Sequence, residues 1–303
     1  MTFSKDSGFA LLAIILSMIV VGIIGYTGWF VWNSNNTYDD LLKNVKNVQF
    51  DSKAKKIVAV GDTVCDPGDL HRLVKNLGFC QNAATYALAT KLSPDAVLAL
   101  GDLQYDGGAL DKFNTQYNSN WGKLKSITHP TPGNHEYNTA GASGYFNYFN
   151  DSLLAGEAGK GFYSFNLGGW HFISLNSNCS AVGGCSKGSS QLEWLSQDLQ
   201  KNHLSCTATY WHHPHFTSGT YSDDQDSKGL STDFWNVLAE YKADVVLNGH
   251  DHIYERFAPQ SPSGQPVSDG IRQFTVGTGG KALYKKKVMA SNSEVAIDDS
   301  FGV

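Results

Sequence analysis

Five apolar stretches in this chain end alike, and that ending limits the fold more than any other feature. KKIVAVGD closes on Gly61-Asp62, DAVLALGD on Gly101-Asp102, and ITHPTPGNHE on Gly133-Asn134-His135. CTATYWHHP closes on Trp211-His212-His213, and ADVVLNGHDH on Gly249-His250. Short apolar runs bounded by turn residues read as buried strands. Between them lie stretches with helical spacing: Gln81 to Leu92, SSQLEWLSQDLQ and STDFWNVLAEY. Alternation of this kind predicts an α/β protein, whose ligand sites collect beyond the carboxyl ends of strands. A glycine before the polar residue lets the backbone turn sharply and approach a bound ion. FYSFNLGGWHFISLN alternates around Gly168-Gly169 and predicts a hairpin, and IRQFTVGTGG predicts a later strand. The sequence contains no internal repeat.

Composition and the N-terminus set the setting. Lys and Arg number 23 against 28 Asp and Glu, a net charge of −5. That leaves no broad basic field for a nucleic-acid partner. Lys285 to Lys287 read as a solvated loop. The 31 glycines and 14 tyrosines favour a loop-rich α/β domain over a helical bundle. Phe9 to Trp32, FALLAIILSMIVVGIIGYTGWFVW, carries no charge. As a helix it would span about 36 Å, enough to cross a hydrocarbon core of about 30 Å. Trp29, Phe30 and Trp32 gather where an interfacial aromatic belt would sit. Lys5 precedes the run and Lys43 is the first lysine after it, so the positive-inside bias places the large domain outside. The expected organisation is a short tail at 1–8, a transmembrane anchor at 9–32, a polar stalk at 33–54 and one domain at 55–303. The apolar run also resembles the N-terminal helix of type IV pilin-like proteins, which begin near a pair such as Gly8-Phe9, but it lacks their glutamate. Cys65, Cys80, Cys179, Cys185 and Cys206 suit an exported domain with up to two disulfides and a spare thiol. Cys179 with Cys185, flanking SAVGG, is the first pair to expect and Cys65 with Cys80 the next, although spacing does not decide the pairing.

The strand ends carry metal chemistry. Asp62, Asp102, Asn134, His212, His250 and His252, with Tyr105 three residues past Asp102, mix carboxylate, amide, imidazole and phenol donors. In an extended segment His250 and His252 point to one side. Two carboxylates and three imidazoles exceed the needs of one four-coordinate ion. A bridging carboxylate makes a two-metal centre with ions about 3.5–4 Å apart the natural expectation.

GDTVC, GDLQY, GNHE, His212-His213-Pro214 and GHDHIYER, in that order, resemble the blocks of calcineurin-like metallophosphoesterases. The tyrosine in GDLQY and the form GHDHIYER are most similar to purple acid phosphatases. The resemblance covers about Lys55 to Gly280 and implies a two-sheet β-sandwich flanked by helices (α/β/β/α), with both sheets expected to be mixed. It implies that Asp102 bridges two ions. Asp62, Tyr105 and His252 would complete one site; Asn134, His212 and His250 would complete the other. Fe(III) is expected in the first site, with Zn(II), Mn(II) or Fe(II) in the second. Metal-bound water, made far more acidic than bulk water and losing its proton near pH 7, would attack a phosphomonoester, with His135 as proton donor. His213, His215 and Glu136 are further residues expected near substrate or behind the ligands. His71, His129, His171 and His203 are read as ordinary. Two departures from the family pattern are Val64-Cys65 after the first aspartate and an end at SFGV, where relatives continue. The second implies a C-terminally truncated domain with an unpaired sheet edge. Phosphodiester hydrolysis is the rival activity, and a non-catalytic, pilin-like surface protein the rival class.

Overall fold

The computed structural model describes residues 54–65, 80–223 and 225–303. The tail, the anchor and nearly all of the stalk expected at the N-terminus lie outside the described residues, as does His71. Among the described residues no helix is long and apolar enough to cross a membrane.

Strands β1 (Ile57–Val60), β2 (Ala96–Ala99) and β3 (Thr128–Pro130) form a parallel sheet in that order, with Ile57 opposite Ala96 and Val97 opposite Thr128. Helix α1 (Asn82–Leu92) lies between β1 and β2, and α2 (Leu110–Thr115) with 3-10 turns lies between β2 and β3. Parallel neighbours require such crossovers. All four residues of β2, AVLA, are buried, as a strand covered on both faces demands. Helices α3 (Ser143–Tyr148) and α4 (Ser152–Ala155) follow β3.

A larger sheet is built from β4 (Tyr163–Leu167), β5 (Trp170–Ser174), β6 (Cys206–Tyr210), β7 (Val245–Asn248), β8 (Tyr254–Phe257), β9 (Arg272–Val276) and β10 (Ser293–Ile297). Its order is β10-β8-β9-β7-β6-β5-β4. Strands β5, β6, β7 and β9 run parallel, while β4, β8 and β10 are antiparallel to their neighbours. Among the described residues only this sheet is mixed. The expectation of two mixed sheets is corrected because the smaller one's strands are joined by helical crossovers, β1 to β2 and β2 to β3, which leave them parallel. The β4–β5 hairpin turns on Gly168-Gly169, both at positive φ, as a two-residue turn matched to strand twist requires.

Helices α5 (Ser190–Lys201) and α6 (Gln225–Glu240) cover the outer face of the larger sheet. The Ser189 hydroxyl caps α5 by accepting from the Leu192 N–H at 3.4 Å, and the helix buries Leu192, Leu195 and Leu199 along one stripe. Three apolar layers result. Val58, Val60, Phe113, Trp121 and Tyr145 pack outside the small sheet. Leu98, Leu100, Phe172 and Tyr210 pack between the sheets. Leu195, Trp211, Phe234 and Trp235 pack outside the large one. Disulfides join Cys65 to Cys80 and Cys179 to Cys185, leaving Cys206 as a thiol.

Candidate metal centre

The ends of β1, β2, β3, β6 and β7 meet at one edge of the sandwich. Backbone bonds stitch them together: Asp62 N–H donates to Gly101 O at 3.1 Å, and Gly249 N–H donates to His212 O at 3.0 Å. His250 N–H donates to Asp62 Oδ2 at 2.8 Å. A Cβ at position 249 would stand 2.8 Å from that same oxygen, so glycine is what permits the approach. Asp62, Asp102 and His250 all sit at positive φ, of 60, 51 and 68°. Non-glycine residues there cost about 1–3 kcal/mol each and persist where the surroundings over-determine them, which is typical of functional sites.

Seven donor side chains converge here. The Tyr105 hydroxyl lies 2.7 Å from Asp62 Oδ1, 3.0 Å from Asp102 Oδ2 and 3.0 Å from His252 Nε2. His252 Nε2 stands 3.2 Å from Asp62 Oδ1. On the other side, His212 Nε2 lies 3.3 Å from Asp102 Oδ2, 3.1 Å from Asn134 Oδ1 and 3.2 Å from His250 Nδ1. Asp102 therefore touches both clusters. Two backbone carbonyls orient the imidazoles: His212 Nδ1 donates to Leu100 O at 2.8 Å and His252 Nδ1 to Ala282 O at 2.7 Å. Each such bond fixes the tautomer and turns the Nε2 lone pair inward, the usual support for a metal-binding histidine.

Electrostatics fit a cation. Burial would raise the Asp102 carboxyl, but His212, His135 and His250 outweigh it and hold it well below the usual range. His212 is burdened by burial yet raised to about 9, chiefly by Asp102. Burial, and then His213 and His212, push His250 well down. Burial, Asp102 and Asp62 push the Tyr105 phenol well up. Without a metal, one imidazolium must balance buried carboxylates among lone pairs. A bound cation would supply that charge and favour the phenolate, so the residues fit the expected ions.

The flanking residues divide. His135 N–H donates to Asp102 Oδ1 at 2.9 Å, its Nδ1 lies 2.9 Å from Asp106 O, and its ring stands 4.4 Å from that of Tyr105. His213 lies beside His212 and His250, with Nδ1 2.7 Å from the Ser177 hydroxyl. Glu136 is fully buried behind the cluster. His215 does not join them. Its Nδ1 lies 2.8 Å from Ser231 on α6, among Phe216 and Trp235. His129 and His171 are structural, the first stacked on Phe165 and the second paired with Asp198.

Three features escaped the sequence reading. Asp251 accepts from the Thr217 hydroxyl at 2.7 Å and the Thr220 N–H at 2.9 Å, while Glu255 accepts from the Ser218 N–H at 2.9 Å. These carboxylates clip the 217–221 loop so that Tyr221 stacks on His250 at 4.0 Å. Beyond β9, segment 279–284 lies along Asp62 and His252. The signal for it was present, since VGTGG is another strand ending in glycine, but it offers no ligand side chain.

Residues 55–254 match the sequence profile of the family described as Calcineurin-like phosphoesterase. The chain belongs to this family. Among curated relatives, Purple acid phosphatase 15 of Arabidopsis thaliana is 27% identical over 61% of this chain and 40% of its own length. Acid phosphatase type 7 of Homo sapiens is 30% identical over 54% of this chain and 41% of its own length. The chain thus spans less than half the length of these relatives. Among solved structures, a purple acid phosphatase from yellow lupin (Lupinus luteus) seeds superposes with a TM-score of 0.61 at 18% identity, covering 81% of this chain and 48% of that one. GAP50, the anchor in the inner membrane complex of Plasmodium, superposes at 0.56 with 16% identity, covering 81% and 78%. These two likenesses concern the fold.

Proposed function

We propose that this calcineurin-like phosphoesterase hydrolyses phosphomonoesters in the manner of purple acid phosphatases, using a dinuclear centre. The observation that carries the reading is the convergence of seven donor side chains, each within 2.7–3.3 Å of at least one other, with Asp102 touching both clusters. Asp62, Tyr105 and His252 would hold one ion, Asn134, His212 and His250 the other, and Asp102 would bridge. Fe(III) suits the phenolate-bearing half, and Zn(II), Mn(II) or Fe(II) the amide and imidazole half. Bound ions of this kind supply Lewis acidity and a water acidic enough to be a nucleophile near neutral pH.

The chain's own residues do the remainder. His135, 29% exposed at the rim with its backbone fixed on Asp102, can hand a proton to a leaving alkoxide. His213, oriented by Ser177, can hold a phosphoryl oxygen. Tyr221, stacked on His250, excludes water on that flank. The domain is further proposed to be single-pass anchored and extracytoplasmic. Support comes from the uncharged run at 9–32 with Lys5 ahead of it, and from two disulfides, which suit an oxidising compartment.

Metal analysis of the purified domain, with parallel assays on a phosphomonoester and its bis-ester analogue, tests the activity. Two transition ions per chain and faster monoester turnover are expected. Faster diester turnover would move the assignment to a phosphodiesterase. No metal and no turnover after reconstitution would leave a binding protein.

A further inference from the structure

Segment 279–284 leaves β9 and runs along one half of the centre. Gly279 N–H donates to Gly61 O at 3.0 Å and Lys281 N–H to Asp62 O at 2.9 Å. Ala282 O takes the His252 Nδ1 proton at 2.7 Å, and Tyr284 N–H donates to His252 O at 3.0 Å. The Tyr284 ring lies flat on His252, 3.9 Å away and 7° from parallel. These contacts fall on the half formed by Asp62, Tyr105 and His252.

One side chain of this strap is charged, and it reaches the third member. Lys281 Nζ sits 4.4 Å from the centroid of the Tyr105 ring and 2.9 Å from Asp106 Oδ1. The lysine side chain is only 17% exposed, whereas that of Asp106 is 49% exposed. The cation is thus withdrawn from water over an aromatic face, where it acts more strongly than at the surface. Its carboxylate partner remains well hydrated and offsets it only in part.

We infer that Lys281 is a positioning residue that tunes Tyr105 as a metal ligand, weakening phenolate donation and so favouring the reduced state of an iron ion held there. A positive charge over the ring lowers the energy of the phenolate electrons. The ligand-to-iron charge-transfer transition then needs more energy, and ferric iron is less stabilised relative to ferrous. Charges and hydrogen bonds behind the ligands commonly set metal potentials in this way.

The inference rests on the reading of Tyr105 as an iron ligand, and visible spectroscopy separates the two. The protein is loaded with iron, oxidised, and its charge-transfer band and midpoint potential are recorded for wild type, Lys281→Met, Lys281→Arg and Asp106→Asn. Lys281→Met should move the band to longer wavelength and lower the potential, and Lys281→Arg should stay near wild type. Asp106→Asn removes a half-exposed negative charge and should move both quantities the opposite way, which keeps the test decisive if Lys281→Met fails to fold. A wild-type band that neither Lys281→Met nor Asp106→Asn displaces overturns the inference and leaves the ligand reading standing. Equal displacement in Lys281→Met and Lys281→Arg also overturns it, by assigning the effect to shape. A ferric protein with no band removes the ligand reading and the inference together.

Discussion

Replacing Glu136 by Gln should loosen the centre without substituting a proposed metal ligand. Glu136 Oε2 accepts from Asp102 N–H at 2.9 Å and Gly133 N–H at 2.7 Å, and Oε1 accepts from Leu103 N–H at 2.9 Å and Gln104 N–H at 3.3 Å. The carboxylate therefore buckles the loop after β2 to the loop after β3. Burial, and then the Asp102 charge, push its carboxyl up to about 7, against the pull of these N–H groups. Glutamine keeps one oxygen and turns an NH₂ toward two of the four donors. Two buried N–H groups then lack a partner, at about 1–3 kcal/mol each, or about 2–6 kcal/mol in all. Against a domain stability of about 5–15 kcal/mol this is large. It also lets Asp102 move relative to Asn134, so metal retention should fall with stability. Urea unfolding of the domain, with metal content measured alongside, provides the assay. A Glu136→Gln protein within about 0.5 kcal/mol of wild type, the usual span of harmless surface changes, and with full metal content would refute the buckle.

Three further outcomes are expected. His250→Ala should lower metal content to about one ion per chain and turnover by at least about 100-fold, with an unchanged circular dichroism spectrum; wild-type turnover would contradict the assignment. His129 stacks on Phe165 at 3.6 Å, and burial pulls its pKa down to about 4. Its folded value lies below the unfolded one, so stability is lost as pH falls from about 6.5 toward 4. After allowing for partial exposure, His129→Leu should remove about 1 kcal/mol of the stability difference between pH 7 and pH 5. Identical urea midpoint changes in both proteins would refute this. Converting Cys179 and Cys185 to Ser opens a loop of sequence separation 6 and should cost about 2 kcal/mol; a midpoint unchanged from wild type would rule that out.

The strand ends were legible because each is a local pattern, an apolar run followed by a turn and a ligand-type side chain. His250 and His252 converge for a different reason than strand alternation. They do not alternate on an extended strand: His250 has φ 68°, and Asp251 and Ile253 N–H bond to carbonyls two residues back. The bend aims both imidazoles inward while Asp251 turns away to clip the 217–221 loop. His215 looked like a site residue from its place in HHPH, but past Pro214 it faces Ser231 instead. The early part of α6 was missed as well, since QDSKGL offers no apolar period and includes a glycine.

What no local pattern could reveal is how differently the two halves of the centre are braced. Asn134, His212 and His250 depend on strand ends and on the Glu136 buckle, where glycine and carboxylate are readable in the blocks themselves. Asp62, Tyr105 and His252 lean on segment 279–284, which lies 23–28 residues past Arg256 at the end of the last block, and mostly on its backbone. Backbone support leaves almost no trace in side-chain chemistry, because many residues can donate the same N–H. Variation in this strap can therefore alter the surroundings of one proposed ion site while the other half keeps its geometry. Residues such as Lys281 and Tyr284 are accordingly where this chain can differ in metal behaviour from a relative that shares every ligand.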